Sequence, residues 1–260
     1  MRSAVGRCLL LPLVAFLAWV HPFPQIWAQE SLKDEIQTFL RRGVEKGLNL
    51  SDQEAVAELT KALELDRKSP VAYAYLAMAY LFSYETGLDE KEKKKSETSL
   101  LRAVEDTQTL AEKRLEENPR NADACFSMAI ARMVKNRWEI LHRNYFRAFR
   151  EAQAVWDLLE KTRELDPRNF DVYYPMGVLH YHLAQLSGVT RWITSVFITS
   201  GDRERGIREF ETAYEKGRLM RDLAASSLVS AYSGYEKQPA RALPLATKLK
   251  EKYPDNYNFS

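Results

Sequence analysis

The stretch that decides the fold runs from Glu164 to His180 and reads Glu-Leu-Asp-Pro-Arg-Asn-Phe-Asp-Val-Tyr-Tyr-Pro-Met-Gly-Val-Leu-His. Its Asp-Pro-Arg-Asn segment combines a proline, which cannot continue a helix, with residues that cap helix ends. It therefore predicts the end of one helix and the start of the next. Similar stretches occur at 64–70, 117–121 and 252–256. The chain is thus predicted to be a series of helices joined by related turns.

The segments between these turns have apolar residues at helical spacing. A first helix is predicted from Ser31 to Gly47, with Ile36, Phe39, Leu40 and Val44 on one face. With only 10 glycines and 10 prolines in 260 residues, the chain is short of the turn residues that an all-β protein needs. The composition and the periodicity together predict an all-α protein.

Small and large apolar residues recur at fixed spacing along these helices. First-helix patterns are Tyr73-x-x-Leu76-Ala77-x-x-Tyr80, Cys125-x-x-Met128-Ala129, Tyr173-x-x-Met176-Gly177-x-x-His180 and Ala225-x-x-Leu228-Val229-x-x-Tyr232. Second-helix patterns are Ala55-x-x-x-Leu59-x-x-Ala62 and Gly206-x-x-x-Phe210-x-x-Ala213. Over residues 31–256 the sequence resembles the tetratricopeptide repeat family. The resemblance implies a right-handed superhelical stack of four or five antiparallel helix pairs.

The repeats depart from the family pattern in length. Pro119 and Pro167 are 48 positions apart, whereas a standard repeat has roughly 34 residues. We expect the extra length to form long helices and insertions. In the helix before Pro119 the repeat positions are held by Thr107, Ala111 and Arg114. The insert 85–99, with alternating Glu and Lys, is interpreted as a solvated loop or helix start.

The first residues are typical of a signal peptide. Arg2 and Arg7 precede an apolar run from Cys8 to Val20, and a small residue, Ala28, lies at the exit. We therefore assign residues 1–28 to a Sec-type signal peptide cleaved near Ala28, and 29–260 to one helical-repeat domain. The alternative is an uncleaved membrane anchor. The predicted location is the periplasm or the exterior of the cell.

Charge and cysteine content exclude some functions. Without residues 1–28 the 38 basic side chains fall to 36, which equals the number of acidic ones. A neutral chain is unsuited to nucleic acid, which requires a basic face. Only Cys125 then remains, so no internal disulfide can form.

No pattern in the sequence indicates a reaction. His180 and His182 are two positions apart on a predicted helix, so they point to nearly opposite sides and cannot hold one metal ion. His180 replaces the tyrosine of the repeat pattern and Cys125 replaces its aromatic, so both are expected to be packed. His142 is expected to be packed or hydrogen-bonded as well. We therefore expect no enzyme activity, no cofactor and no metal.

The inner surface of the stack is the candidate binding site. In the family the first helices line a concave groove, and this resemblance implies a groove of apolar and aromatic side chains rather than a cationic clamp for a peptide carboxylate. The groove set is Val71, Ala74, Met78, Phe82, Phe126, Ile130, Tyr174, Val178 and Tyr181. The alternative is that the insertions fill the groove and bury this set.

Two inserts are candidates for filling the groove or for contacts outside it. The segment 189–198 is apolar, and Trp192, Val196 and Phe197 share a helical side, which fits either a lid over the groove or a packing plug. The segment 135–149 mixes arginine with aromatic residues. It could face anionic lipid or a partner, or form an ordinary helix interface in which the arginines reach out to solvent.

These observations give two hypotheses for function. The first is a non-enzymatic scaffold that binds a protein or peptide in the bacterial envelope or periplasm. The second is a periplasmic binding protein for a small apolar or lipid-like ligand held in the groove.

Overall fold

The computed structural model describes residues 23–87, 89–186, 188, 198–199 and 201–259, and all regular structure in these ranges is helical. The ten α-helices there are α1 (Phe23–Leu48), α2 (Asp52–Leu65), α3 (Pro70–Thr86), α4 (Glu90–Glu117), α5 (Ala122–Leu141), α6 (Tyr145–Leu165), α7 (Tyr173–Leu183), α8 (Arg203–Lys216), α9 (Arg221–Ser230) and α10 (Pro239–Lys252). A 3-10 turn, Phe170–Val172, leads into α7, and another, Tyr257–Phe259, follows α10. The π-helical turn Ala231–Tyr235 extends α9.

Consecutive helices pack as pairs: α1 with α2, α3 with α4, α5 with α6, α7 with α8, and α9 with α10. Neighbouring pairs also touch, since α3 contacts α2 and α5. The predicted all-α stack of four or five helix pairs is confirmed, with five pairs.

The predicted turns begin helices through specific caps. The Ser69 hydroxyl accepts a hydrogen bond from the Ala72 amide, and Pro70 occupies the first turn of α3. At the next junction the Asn121 side chain accepts from the Ala124 amide at 2.9 Å. Each cap satisfies a backbone N–H that has no partner inside the helix. At these two junctions the local sequence thereby fixes where the first helix starts, whereas α7 and α9 begin without a side-chain cap.

Close helix crossings require the small residues of the pattern. A Cβ atom on Gly177 would lie 2.8 Å from Phe210 Cδ1, and one on Gly206 would lie 2.8 Å from Tyr181 Cβ. A Cβ atom on Gly43 would meet Leu59 Cγ at 2.5 Å. The pairs α7–α8 and α1–α2 can approach this closely only because these positions have no side chain.

The extra length of the central repeats lies in long helices, as expected. α4 has 28 residues, and its first turn is capped by Asp89, whose carboxylate accepts from the Glu92 amide at 2.8 Å. The described part of the charged insert 85–99 therefore completes α3 and starts α4. Thr107 and Ala111 are fully buried as the repeat pattern predicts, while Arg114 pairs with Asp66 at 3.3 Å.

The last turn of the chain returns to the first helix. Asn256 is buried and donates from Nδ2 to the backbone oxygen of Leu48 at 2.6 Å. Asn49 Nδ2 donates to Asp255 Oδ2 at 2.7 Å, and the Asp255 amide donates back to Asn49 Oδ1 at 3.2 Å. Side chains from α1 and from the segment 249–259 belong to one continuous hydrophobic core. The stack therefore closes, and its two ends touch.

The N-terminal predictions are only partly covered by the described residues. α1 begins at Phe23, ahead of the predicted Ser31, and it includes the end of the predicted leader. The apolar run 8–20 lies outside the described residues, so cleavage near Ala28 stays a prediction. Across the described part of the chain, no helix combines the length and the apolar character that a membrane span needs.

We predict that Gly206→Ala lowers the free energy of unfolding by about 1–3 kcal/mol, because the new methyl group must displace the Tyr181 backbone and Cβ. The matched control is Gly234→Ala, where an added Cβ meets nothing within 4 Å. Urea denaturation followed by circular dichroism measures both midpoints. Equal midpoints for the two variants would contradict the close crossing of α7 and α8.

Candidate functional site

The predicted groove residues are mostly covered. Ala74 and Ile130 are fully buried, and Met78, Phe126 and Tyr181 are at most 6% exposed. The remaining four are partly buried: Val71, Phe82, Tyr174 and Val178. The predicted groove set is therefore buried or half-buried, while the filling of the groove by the insert 189–198 stays a prediction, because residues 189–197 lie outside the described residues.

Neighbouring helices provide the cover at the N-terminal end of the stack. α3 contacts α1, α2, α4 and α5, so little of its circumference faces solvent. Met78 and Phe82 border a void of only about 10 Å³ against Gly43, Val44 and Gly47 of α1. The predicted lid residues Trp192, Val196 and Phe197 lie outside the described residues. The described helices by themselves are sufficient to bury this part of the set.

What stays open on the inner side is a polar cleft at the N-terminal ends of the first helices. A cavity of about 400 Å³ is lined by Gln37, Val71, Tyr75, Asp123, Phe126, Asp166, Arg168, Asn169, Phe170, Asp171, Lys216, Arg218 and Leu219. A second cavity of about 560 Å³ shares Gln37, Arg218 and Leu219 with it and extends along α1 to Arg41, Glu45, Asp222 and Lys252. We call the two adjoining cavities the inner cleft. Of the predicted groove set, Val71 and Phe126 line it.

One wall of the inner cleft is held by the carboxylate of Asp171. Its oxygens accept hydrogen bonds from the backbone amides of Arg218 at 2.7 Å, Leu219 at 3.1 Å and Met220 at 3.0 Å. These amides lie immediately before α9, and the helix dipole favours a negative charge at this N-terminal end. The 7% exposed carboxylate is thereby satisfied, and the turn 217–220 is fixed against α7.

Gly217 is required by the same arrangement. A Cβ atom there would lie 2.8 Å from Asp171 Oδ1 and would also overlap the Ala213 carbonyl oxygen. The glycine therefore lets the turn approach the carboxylate closely enough for its amides to bond. Neither Gly217 nor the turn could be singled out from the sequence, because the partner residue is distant along the chain.

Several cations in the inner cleft have no acidic partner. Arg41, Arg168 and Arg218 form no ion pair within the described ranges, and all three are exposed side chains. Lys216 Nζ lies over the Phe170 ring at 5.4 Å from its centroid. Asp166 already accepts the Arg168 amide at 3.1 Å within its own turn. The cleft therefore offers guanidinium groups that are free to bind an anion.

Tyr75 contributes an unused hydrogen-bond donor to the inner cleft. The side chain is 1% exposed, and its hydroxyl has no hydrogen-bond partner among the described residues. Burial raises the pKa of Tyr75 well above its ordinary value, and the nearby negative charge of Asp171 raises it further. The hydroxyl thus stays protonated at neutral pH. A buried donor without a partner is uncommon in proteins and can be satisfied by a ligand.

His180 occupies a packed position, as predicted. His180 is fully buried, with Nδ1 at 2.6 Å from Glu209 Oε2 and Nε2 at 3.2 Å from Thr199 Oγ1. Glu209 also accepts from Arg205 Nε at 3.1 Å. His182 is exposed, so the two imidazoles lie on different sides of α7. No cluster of metal-binding side chains occurs among the residues that the structure describes.

Cys125 is also packed as expected, whereas His142 is exposed and held by a ring contact and a hydrogen bond. The Cys125 thiol is buried, and burial raises its pKa, so the reactive thiolate is disfavoured. The His142 ring stacks on Trp138 with 4.2 Å between centroids, and its Nδ1 lies 2.9 Å from the Trp138 carbonyl oxygen.

Removing the Asp171 carboxylate should destabilise the fold strongly. We expect Asp171→Ala to lower the free energy of unfolding by about 3 kcal/mol or more, because buried amides at the start of α9 lose their acceptor. Asp123→Ala, which removes an exposed carboxylate from the same cleft, is the control and should lose far less. Urea midpoints of the two variants measure the difference. If they coincide, the carboxylate does not hold the turn.

The groove residue Tyr181 should make stability depend on pH in the alkaline range. Burial, helped by a 3.1 Å hydrogen bond to Glu236, raises the pKa of Tyr181 from 10.0 to about 12. Between these values the unfolded chain loses a proton that the folded chain keeps. Stability is therefore complete below pH 10 and falls as the pH rises to about 12. Tyr181→Phe should make this fall less steep, as measured by urea titrations across the range.

The control for this effect is Tyr235→Phe, at a position that is 61% exposed. The slope against pH is the quantity to compare, since Tyr181→Phe also removes a hydrogen bond at neutral pH. An unchanged slope in Tyr181→Phe would contradict the raised pKa.

Comparison with known proteins finds similarity only at the level of solved structures. No protein-family model matches the chain, and no curated protein matches it significantly. The crystal structure of a thermophilic tetratricopeptide-repeat protein from Thermus thermophilus is similar, with 16% identity and a TM-score of 0.49. The match covers 86% of this chain and 94% of that chain. The all-α stack itself is read from the five helix pairs of this chain.

Proposed function

We propose that this chain is an exported, non-catalytic scaffold that binds a segment of a partner polypeptide in the inner cleft. Stacked helix pairs characteristically use their concave side to bind partners. Here the open part of that side is the inner cleft, which runs along α1 and across the ends of α3, α5 and α7. Its elongated form suits a chain segment better than a compact molecule.

The observation that carries the proposal is the set of unused polar groups in the inner cleft. Arg41, Arg168 and Arg218 provide guanidinium groups without ion pairs in the described ranges, and Tyr75 provides a buried hydroxyl without a partner there. Carboxylates of acidic side chains match the guanidinium groups, and backbone carbonyl oxygens match the hydroxyl. Val71 and Phe126 add a small apolar contact next to them. The cleft is lined by acidic residues as well, among them Asp34 and Asp123, so the proposed partner is an extended segment whose own acidic side chains reach the three arginines.

The cleft lining favours this partner over a small apolar ligand. Most residues around the first cavity are polar or charged, and the second cavity is lined by charged residues from α1, α9 and α10. Transferring an apolar ligand into such a site leaves the polar groups without water. The burial of the predicted groove residues removes the surface on which that hypothesis depended.

A non-catalytic role is supported by the state of the reactive side chains. His180 is enclosed by Glu209, Thr199 and the ring of Trp156, and the Cys125 thiol is buried with a raised pKa. Export to the periplasm or the cell exterior is supported by the basic start, the apolar run 8–20 and Ala28.

Photo-crosslinking from inside the inner cleft tests the proposal. A photoreactive amino acid at Gln37, which is exposed and borders both cavities, should capture a polypeptide in cells of the producing bacterium. The same amino acid at Lys113, exposed on α4, is the control and should not capture it. Arg168→Glu with Arg218→Glu should abolish the capture. Mass spectrometry of the adduct identifies the partner segment, which we expect to be rich in Asp or Glu.

Tyr75→Phe separates binding from folding in this experiment. Since the hydroxyl has no partner among the described residues, its removal should leave the free energy of unfolding within about 1 kcal/mol while weakening the crosslink.

Native mass spectrometry of the protein isolated from the envelope tests the other hypothesis, that of a small apolar ligand. A bound apolar molecule that survives both arginine substitutions would overturn the proposal.

A further inference from the structure

The turn between α5 and α6 exposes an unusual group of apolar side chains. Phe146 is 75% exposed and Tyr145 is 66% exposed, and Ile140 and Leu141 are each close to 40%. All four lie close together in sequence, at the end of one helix and the start of the next. Scattered exposed apolar residues are normal, but a contiguous group marks an interaction surface. We call residues 140–150 the α5–α6 tip.

The α5–α6 tip is also strongly basic. Arg143, Arg147 and Arg150 are exposed, and none forms an ion pair within the described part of the chain. No acidic residue occurs between positions 140 and 150. A chain that is neutral without its leader therefore has a local excess of positive charge beside Phe146, the most exposed aromatic side chain among the described residues.

The acidic residues nearest to the tip are already committed elsewhere. Glu85 binds Arg137 Nε at 2.6 Å, and Glu151 binds Arg132 at 3.0 Å and Lys135 at 3.5 Å. Glu97 lies 3.5 Å from His142, while Glu139 is 2% exposed. Glu85, Glu97 and Glu151 cannot turn outward to neutralise the three arginines without breaking these contacts. Glu139 is buried, and its Oε2 has no hydrogen-bond partner among the described residues.

The tip is held in a fixed shape by its own turn. Arg143 has a φ of 60°, which allows the chain to reverse within a few residues. The His142 ring stacks on Trp138, and its Nε2 lies 3.4 Å from the Tyr84 hydroxyl. With this residue anchored, the neighbouring apolar and basic side chains remain directed to solvent.

From this arrangement we propose that the α5–α6 tip docks onto an anionic lipid surface. Aromatic and aliphatic side chains at a convex tip can enter the boundary between headgroups and acyl chains, to a depth of about 5–10 Å. The three arginines bind the negatively charged phosphates of the lipids. Within the described ranges the protein itself provides no acidic side chain that pairs with them. The tip is separate from the inner cleft, so lipid docking and polypeptide binding are independent.

Vesicle flotation tests this proposal directly. The protein used begins at Gln29, the predicted start of the exported form, which removes the apolar run 8–20 and the remaining apolar residues of the leader that would bind vesicles by themselves. Vesicles of phosphatidylcholine and phosphatidylglycerol in equal parts should bind it, and pure phosphatidylcholine should bind it far less. Each of Arg143→Gln, Arg147→Gln and Arg150→Gln should weaken binding by about fivefold, because one cation near an anionic surface has about that effect. Added salt should reduce binding for the same reason.

The apolar part of the tip is tested by Tyr145→Ser with Phe146→Ser. This pair should weaken vesicle binding by about tenfold or more, since two aromatic side chains no longer leave water. The matched control is Leu243→Ser with Tyr257→Ser, at positions that are 68% and 70% exposed on other parts of the surface. Arg67→Gln, Arg102→Gln and Arg120→Gln are the charge controls, because these arginines are also exposed. Circular dichroism checks that all variants keep their helices.

A fluorescent label at the α5–α6 tip detects insertion of the tip into the lipid bilayer, and this readout does not depend on a loss of vesicle binding. In Phe146→Cys the new thiol reacts selectively, because Cys125 is fully buried. A fluorophore there should be quenched by brominated acyl chains in anionic vesicles, whereas one at Tyr257→Cys should not. Equal binding to neutral and anionic vesicles would overturn the proposal, as would tip variants that bind like the controls. A protein captured by the tip with no vesicle binding would also overturn it.

Discussion

The inner side of the molecule depends on one carboxylate, that of Asp171, and the three backbone amides from which it accepts hydrogen bonds. The amides belong to Arg218, Leu219 and Met220, which lead into α9. Because the carboxylate comes from the turn before α7, it fixes the fifth helix pair relative to the fourth. Gly217 allows the close approach, and α9 begins where the carboxylate can stabilise its positive end. The shape of the inner cleft follows from this contact, since both partners line it.

The closure of the stack has a second physical basis at its ends. The carbonyl of Leu48 lies in the last turn of α1, where no amide of the same helix can reach it. Asn256 supplies the missing donor, and the reciprocal pair of Asn49 and Asp255 lies beside it. Lys252 connects Glu45 on α1 with Asp222 on α9. The Lys-Tyr-Pro-Asp-Asn ending of the last helix is therefore a set of contacts to the first helix.

These two contacts explain how far the sequence could be interpreted. Helix pairs were predictable because each depends on residues near one another, such as the cap at Ser69 or the spacing of Gly206 and Phe210. The open surface was not predictable from the sequence. It depends on how each helix pair is rotated against the next, because these small rotations add up over the five pairs until the two ends of the stack meet. The groove residues predicted on α3 and α5 are apolar, and in the closed stack such residues form the core. Polar residues from turns line what remains open.

The distribution of charge could not be predicted from the sequence either, because composition gives the total charge and not where the charged groups lie on the surface. Equal numbers of acids and bases in residues 29–260 suggest a surface without preference for either sign. In the folded chain many acids are used internally: Asp171 binds amides, Glu209 binds His180, and Glu151 binds two cations. Asp171 binds backbone amides instead of a cation, and Glu151 binds two cations at once, so the acids are not matched one to one with the bases around them. Arginines without ion pairs in the described ranges remain in the inner cleft and at the α5–α6 tip, and these are the two places where we propose that anions bind.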